Sequence, residues 1–261
     1  MNFTDGTISC SLVVSHREND STLKKKAEQL GKILHVPVLA PNHKQQSEYT
    51  LLLTRKGMLL QSNTERSCTF FIDFRSPKLL YRLKHGGGIN QPLARAVGIK
   101  ANIRPTILDA TAGTGQDSFI LAHLGCQMRM IERSPVLAIL LQDALERIHT
   151  TKIQLIPGNA CTIIPQLQPL AETIYLDPMY PHKTKSALNK QDMRVIRTLV
   201  GNDTDAAKLL RTALQYAEKR VVVKRPKGAR ELNNMQPSHT IKMKNSRFDV
   251  YMITNKLQCK T

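Results

Sequence analysis

From residue 106 onward, short apolar runs alternate with stretches of helical period. That alternation predicts an α/β domain built around a mostly parallel sheet. The runs expected to be strands are Thr106-Ile107-Leu108, Met128 to Ile131, Ile153 to Ile156, Thr173 to Leu176 and Val221-Val222-Val223. Thr240 to Met243 and Phe248 to Thr254 follow as an expected antiparallel pair. Between them the spacing predicts helices over Asp117 to His123, Pro135 to Ile148, Ala187 to Leu199 and Asp205 to Ala217.

The first 74 residues carry a different rhythm and are expected to form a small α+β unit. Ser11 to Val14 reads as a strand, and Ser21 to Leu34 as a helix with Ser21 as its N-cap. Tyr49 to Thr54 and Met58 to Gln61 read as a hairpin around Arg55-Lys56-Gly57, and Cys68 to Phe74 as a further strand. Residues 75–104 read as a connector containing Gly86-Gly87-Gly88, either a flexible hinge or a close approach to a ligand, then a short helix from Gln91 to Val97 ending at Gly98. The expected organisation is therefore 1–74, 75–104 and a doubly wound domain over 105–261.

Charge adds a partner. Lys and Arg number 38 against 20 Asp and Glu, a net charge of +18 that favours a polyanion such as nucleic acid. Arg75, Lys78, Arg82, Lys84, Arg95, Lys100 and Arg104 fall in the connector with no acid among them. The five cysteines show no Cys-x-x-Cys and no ligand-like spacing, which fits reduced thiols in a cytosolic protein better than a disulfide frame or a zinc site. No apolar run approaches the roughly 18 residues of a membrane span, so no membrane partner and no metal are expected.

Candidate chemistry begins at Ile107-Leu108-Asp109-Ala110-Thr111-Ala112-Gly113-Thr114-Gly115-Gln116-Asp117, a strand, a Gly-x-Gly turn and a helix start. Glycines there let a ligand approach the backbone, and the new helix offers unpaired amides. The third glycine of a dinucleotide fingerprint is replaced by Ser118, and no Gly-Lys-Ser/Thr follows, so a pyrophosphate and a P-loop nucleotide are both disfavoured. Asp109 suits an ammonium group. Glu132, at the end of the next strand, can take ribose hydroxyls or act as a helix N-terminal acid before Ser134-Pro135. A ligand with an amino-acid end, an adenosine end and no phosphate is S-adenosylmethionine. Asn159, after the third strand, can meet the adenine edge or simply form a turn.

The fourth strand runs into Asp177-Pro178-Met179-Tyr180. One carboxylate, one carbonyl beside a proline and one ring suit a flat base bearing an exocyclic amine. Tyr180 is the candidate stacking ring, against the alternative that it packs in the core. His182, Lys183 and Lys185 follow, and Lys224 and Arg225 come later; with Lys78, Arg82 and Lys84 they are the candidate RNA contacts.

These motifs resemble class I S-adenosylmethionine-dependent methyltransferases acting on exocyclic amines. The resemblance is closest to the RsmJ-type branch, bacterial small-subunit (16S) ribosomal RNA guanine-N2 methyltransferases. It rests on Asp109 to Gly113, Met130 to Pro135, Tyr175 to Lys183, Lys185 to Leu188, Arg220 to Pro226 and Arg247 to Tyr251, with His85 to Gly88 and Ala96 to Lys100, and it covers residues 70–252. It implies a Rossmann-like class I methyltransferase fold and a substrate of ribosomal RNA or a ribosomal particle. It also implies cofactor positions at Gln116, Asp117, Glu132, Arg133, Asn159, Ala160 and Asp177. Gln116 stands where such proteins commonly carry arginine, and Tyr180 where phenylalanine is more usual. The alternatives are adenine-N6 methylation of RNA or DNA, and a non-catalytic assembly factor on ribosomal RNA.

Overall fold

A computed structural model describes residues 11–17, 20–40, 47–63, 68–179 and 205–254. The first sheet comprises β1 (Leu12–His16), β2 (Val38–Leu39), β3 (Tyr49–Thr54), β4 (Gly57–Ser62) and β5 (Thr69–Phe70), in the order β2-β1-β3-β4-β5. Helix α1 (Ser21–Leu34) connects β1 to β2. Its cap is Asp20 rather than Ser21. The Asp20 carboxylate accepts from the amides of Thr22 at 2.9 Å and Leu23 at 3.4 Å, which makes Ser21 the first helical residue. The strand expected over Cys68 to Phe74 is also shorter. It ends at Phe70, and Asp73 turns the chain further on, its carboxylate accepting from the Arg75 amide at 2.9 Å.

The stretch expected as a connector is mostly helical. Pro77–His85 forms α2 and Pro92–Val97 forms α3, which stops at Gly98 as expected from its left-handed φ of 92°. Gly86 caps α2 and Gly87-Gly88 turns the chain into a short 3-10 segment, so the glycine triplet joins two helices and does not line the cavity at the carboxyl ends of the strands.

The second sheet holds β6 (Ile107–Asp109), β7 (Met128–Glu132), β8 (Ile153–Pro157), β9 (Thr173–Leu176), β10 (Arg220–Pro226), β11 (His239–Lys242) and β12 (Ser246–Met252). Their order is β11-β12-β10-β9-β6-β7-β8, parallel from β10 to β8, with β12 antiparallel to both β10 and β11. Helices α4 (Gln116–His123), α5 (Pro135–Ile148), α6 (Ala160–Ile163) and α7 (Ala206–Tyr216) supply the crossovers and cover the sheet. This is a Rossmann-like α/β fold beside a smaller α+β unit. The expected helix over Ala187 to Leu199 lies outside the described residues.

Alternation along the strands divides the core. Val221 and Val223 pack with Ile174 and Leu209 on one face, whereas Val222 packs with Tyr175 and Val250 on the other. The second face shares one apolar cluster with the small sheet, which contributes Leu51 and Leu60. Helix α5 fastens the two units. Asp143 accepts from the Met58 amide at 3.0 Å and from Arg147 Nε at 2.9 Å, and Arg147 lies 4.4 Å over the Phe71 ring.

Chain order reverses between β6 and β9, so their carboxyl ends frame the crevice where open α/β sheets bind ligands. Gly115 fixes the turn there. Its φ is +71°, and an added Cβ would stand 2.8 Å from Leu141 Cδ2 and 3.1 Å from Phe74 Cζ. Gly115→Ala is expected to cost about 2–4 kcal/mol, from the left-handed backbone and overpacking together. Urea unfolding measures it; a loss below about 0.5 kcal/mol, the range of an ordinary surface change, would contradict this reading.

Candidate active site

Three neighbouring strands of the sheet each deliver one acid to the crevice. Asp109 ends β6, Glu132 ends β7, and Asp177 follows β9. A cavity of about 250 Å³ lies between them. Asp109 is buried, accepting from the Ser118 hydroxyl at 2.6 Å and the Thr111 amide at 3.1 Å. Glu132 is buried too. Its carboxylate accepts from the Gly113 amide at 2.9 Å and the Ser134 amide at 2.8 Å, so it braces the glycine loop and the start of α5 together. Burial pushes both carboxyls up to about 7 against these hydrogen bonds.

The residues fit S-adenosylmethionine. A Cβ at Gly113 would meet nothing nearer than the Thr111 carbonyl at 3.8 Å, so that turn is open to a ligand. Asp109 and Glu132, two of the acids that line the cavity, disfavour a pyrophosphate beside them when ionised, while an ammonium and a ribose diol can both use them.

Beyond the glycine loop lies an ion-pair chain. Lys224, on β10, donates to Asp177 at 2.7 Å and to Asp117 at 3.1 Å. Asp117 also accepts from the Tyr175 hydroxyl at 2.8 Å and from Arg82 at 2.9 Å. Strand register explains the meeting. Val223 pairs with Leu176, so the next residues, Lys224 and Asp177, emerge side by side. Burial works to raise the Asp117 pKa, but Lys224 and Arg82 outweigh it and bring it to about 2. Burial opposes charge on Lys224 as well, yet the two carboxylates lift it above the ordinary lysine value. The Asp177 amide is itself held by Thr111 Oγ1 at 2.6 Å, which ties the turn after β9 to the turn after β6.

The expected cofactor residues Asp109, Gly113, Gln116, Asp117, Glu132, Arg133, Asn159, Ala160 and Asp177 all line this cavity, as does Pro178. Gly115 does not; it supports the turn from behind. Arg133 reaches Asp205 at 3.3 Å, and Asn159 caps α6 by accepting from the Cys161 amide at 2.9 Å.

Of the expected RNA contacts, Lys78 and Lys84 are exposed on α2, and Arg82 leaves the same helix for the cavity. Two require correction. Lys224 belongs to the pocket rather than an outer rim, because two carboxylates hold it there. Arg225 is 7% exposed and donates to the Arg230 carbonyl, so it has no surface to offer a phosphate. Tyr180, His182, Lys183 and Lys185 lie outside the described residues. Tyr175 and Thr111 were missed. The alternation of β10 held the signal for Lys224: a lysine sharing a strand face with buried Val222 needs an acid nearby.

A glycine-loop pocket with an acid after each of three parallel strands defines a class I methyltransferase site. The profile of a family described as "Putative SAM-dependent methyltransferase" matches residues 37–253. The protein named Ribosomal RNA small subunit methyltransferase J in Desulfotalea psychrophila is 44% identical over 239 residues, covering 87% of this chain and 91% of its own. Its namesake in Proteus mirabilis is 41% identical over 251 residues, covering 92% and 97%. The crystal structure of a SAM-dependent methyltransferase from Neisseria gonorrhoeae superposes with a TM-score of 0.70 at 31% identity, covering 93% of this chain and 96% of that one. The chain belongs to the ribosomal RNA small subunit methyltransferase J family of S-adenosylmethionine-dependent methyltransferases. Among the described residues no helix is long and apolar enough to cross a membrane, and no cluster of three or more potential ligands is placed to hold a metal.

Proposed function

We propose that the protein methylates the exocyclic N2 of one guanosine in small-subunit (16S) ribosomal RNA, free or within a ribosomal particle, in the cytoplasm. The observation that carries the chemistry is Asp177, fixed at its backbone by Thr111 and at its carboxylate by Lys224, beside the cofactor-fitting cavity. The ribosomal substrate is taken from the names of the relatives, and the N2 position from the resemblance of the motifs.

Bound S-adenosylmethionine supplies an electrophilic methyl group. Asp109, Glu132 and the Gly113 turn would hold it, with Asn159 and Ala160 at the base end. Guanine N2 is a poor nucleophile because its lone pair is delocalised into the ring. Asp177 and the carbonyl of Pro178 would each accept one N–H, turning the lone pair out of conjugation and opposing the positive charge that develops on nitrogen. A carboxylate offers about four acceptor sites, so the Lys224 contact leaves capacity for the amine. Tyr180 is assigned the stacking role on sequence grounds, and the base must leave any helix to reach the pocket.

Isotopic methyl transfer to small-subunit RNA and to particles, followed by nucleoside analysis, tests the proposal. N2-methylguanosine is expected. N6-methyladenosine as the sole product would transfer the site to adenine, and absence of cofactor binding would leave the assembly-factor alternative.

The raised carboxyls give a pH prediction. Asp109 and Glu132, with values about 7, must ionise to receive an ammonium and a diol. Cofactor affinity should therefore tighten as pH rises through about 7, with protons released on binding. Calorimetry in two buffers of different ionisation enthalpy should give different heats at that pH, and identical heats would contradict it. The stability sign is opposite. Both folded values exceed the unfolded ones, so these groups favour folding most below about 4 and lose that contribution as pH climbs to about 7.

A further inference from the structure

Helix α2 divides its residues cleanly. Leu79 is buried, Leu83 packs partly buried against the core, Arg82 enters the cavity and pairs with Asp117, and Lys78, Leu80, Tyr81 and Lys84 are exposed. Tyr81 is 68% exposed, unusual for a ring of this size, and its centroid lies 4.4 Å from that of His85, one turn on. Lys78 and Lys84, both exposed, stand three residues before and after Tyr81. No acid occurs from Arg75 to Arg104.

We propose that the Tyr81–His85 pair on α2 is a stacking platform for an unpaired base of the RNA substrate, next to the pocket mouth, with Lys78 and Lys84 holding the flanking phosphates. The assignment rests on the RNA reading of the site and deepens it. An exposed ring interleaved with cations at helical spacing matches how proteins hold single strands: π-faces take bases without regard to sequence, and cations follow the backbone. The charge excludes an acid-poor, apolar partner as the simplest occupant. Arg82 sets the position, because the helix that carries the platform also sends a side chain into the cavity. A base on the platform would therefore be a neighbour of the target nucleotide.

The test compares wild type, Tyr81→Ala, Tyr81→Phe and the double variant Lys78→Ala, Lys84→Ala. The probes are a mixed-sequence single-stranded oligoribonucleotide and transcribed small-subunit RNA. Tyr81→Ala should weaken binding by about 5- to 150-fold, the affinity equivalent of losing one stacked base. It should raise the KM for RNA, with kcat at saturation and cofactor affinity unchanged, while Tyr81→Phe stays near wild type. The salt slope should hold for Tyr81→Ala but fall by about 1.4 for the double lysine variant. Wild-type RNA affinity in Tyr81→Ala would overturn the platform. So would normal binding to naked RNA with weakened binding to intact particles, which would assign the face to a ribosomal protein. Oligonucleotide binding is read without catalysis, so a wild-type protein that transferred no methyl group to ribosomal RNA would defeat the functional proposal and leave this comparison decisive.

Discussion

Asp177→Ala protein is expected to bind RNA close to normally and yet transfer methyl groups at least 10²–10³-fold more slowly, the usual scale for losing one preorganised electrostatic group at a developing charge. The loss should fall on kcat, because the carboxylate acts on charge that grows only as the new bond forms. Folding should survive. Asp177 lies in a turn that Thr111 Oγ1 grips by the backbone amide and not by the side chain. Asp177→Asn would be informative beside it. The amide keeps one acceptor and the shape but lacks the charge, so a rate between those of wild type and Asp177→Ala would separate hydrogen bonding from electrostatics. Near-wild-type turnover in Asp177→Ala, measured with saturating cofactor and RNA, would remove this residue from the chemistry.

Lys224→Met should be the second large loss. The lysine is the only link between Asp117 and Asp177 among the described ion pairs, and its removal leaves two carboxylates facing each other near buried Asp109. Asp117 keeps Arg82 and Tyr175 but loses its leading source of stabilising charge. About 1–3 kcal/mol of stability should go, below the range for fully buried pairs because the lysine side chain is 30% exposed. Turnover should fall about 10²-fold as the Asp177 carboxylate loses its orientation. The pH profile separates positioning from plain structural damage. With the cation gone, Asp117 should protonate at a higher pH than in wild type, so turnover at saturating cofactor should gain an acid limb that wild type lacks under the same conditions. Lys224→Arg, which keeps the charge, should recover stability better than rate. A Lys224→Met enzyme with wild-type turnover and an unchanged pH profile would show that the chain of ion pairs is incidental.

The site was legible in the sequence wherever a residue type and a strand end coincided. Asp109, Glu132 and Asp177 each close an apolar run, and the glycines between Asp109 and Asp117 mark the turn that opens the cavity. The ends of α5 and β9 were equally clear, because Ser134-Pro135 starts one and Asp177-Pro178 stops the other. What stayed hidden depended on register between distant strands. Lys224 reads as one more basic residue in a basic run until β10 is laid against β9. Arg247 differs: it grips buried Asp249 on its own strand through two nitrogens, at 2.7 and 3.1 Å, and what the sequence hid is the distant Ala229 carbonyl to which it donates at 2.7 Å. Helix α2 escaped for another reason. Leu80 and Tyr81 are exposed beside buried Leu79, which blurs the apolar period of a nine-residue helix.

The most direct measurement is mass mapping of small-subunit ribosomal RNA from cells lacking the protein, complemented by wild type or by Asp177→Ala. One guanosine should lose a single methyl group in the deletion, regain it with wild type and remain unmodified with Asp177→Ala. An unchanged set of methylated guanosines, or loss of a methyl group from an adenosine instead, would contradict guanine-N2 methylation of this RNA.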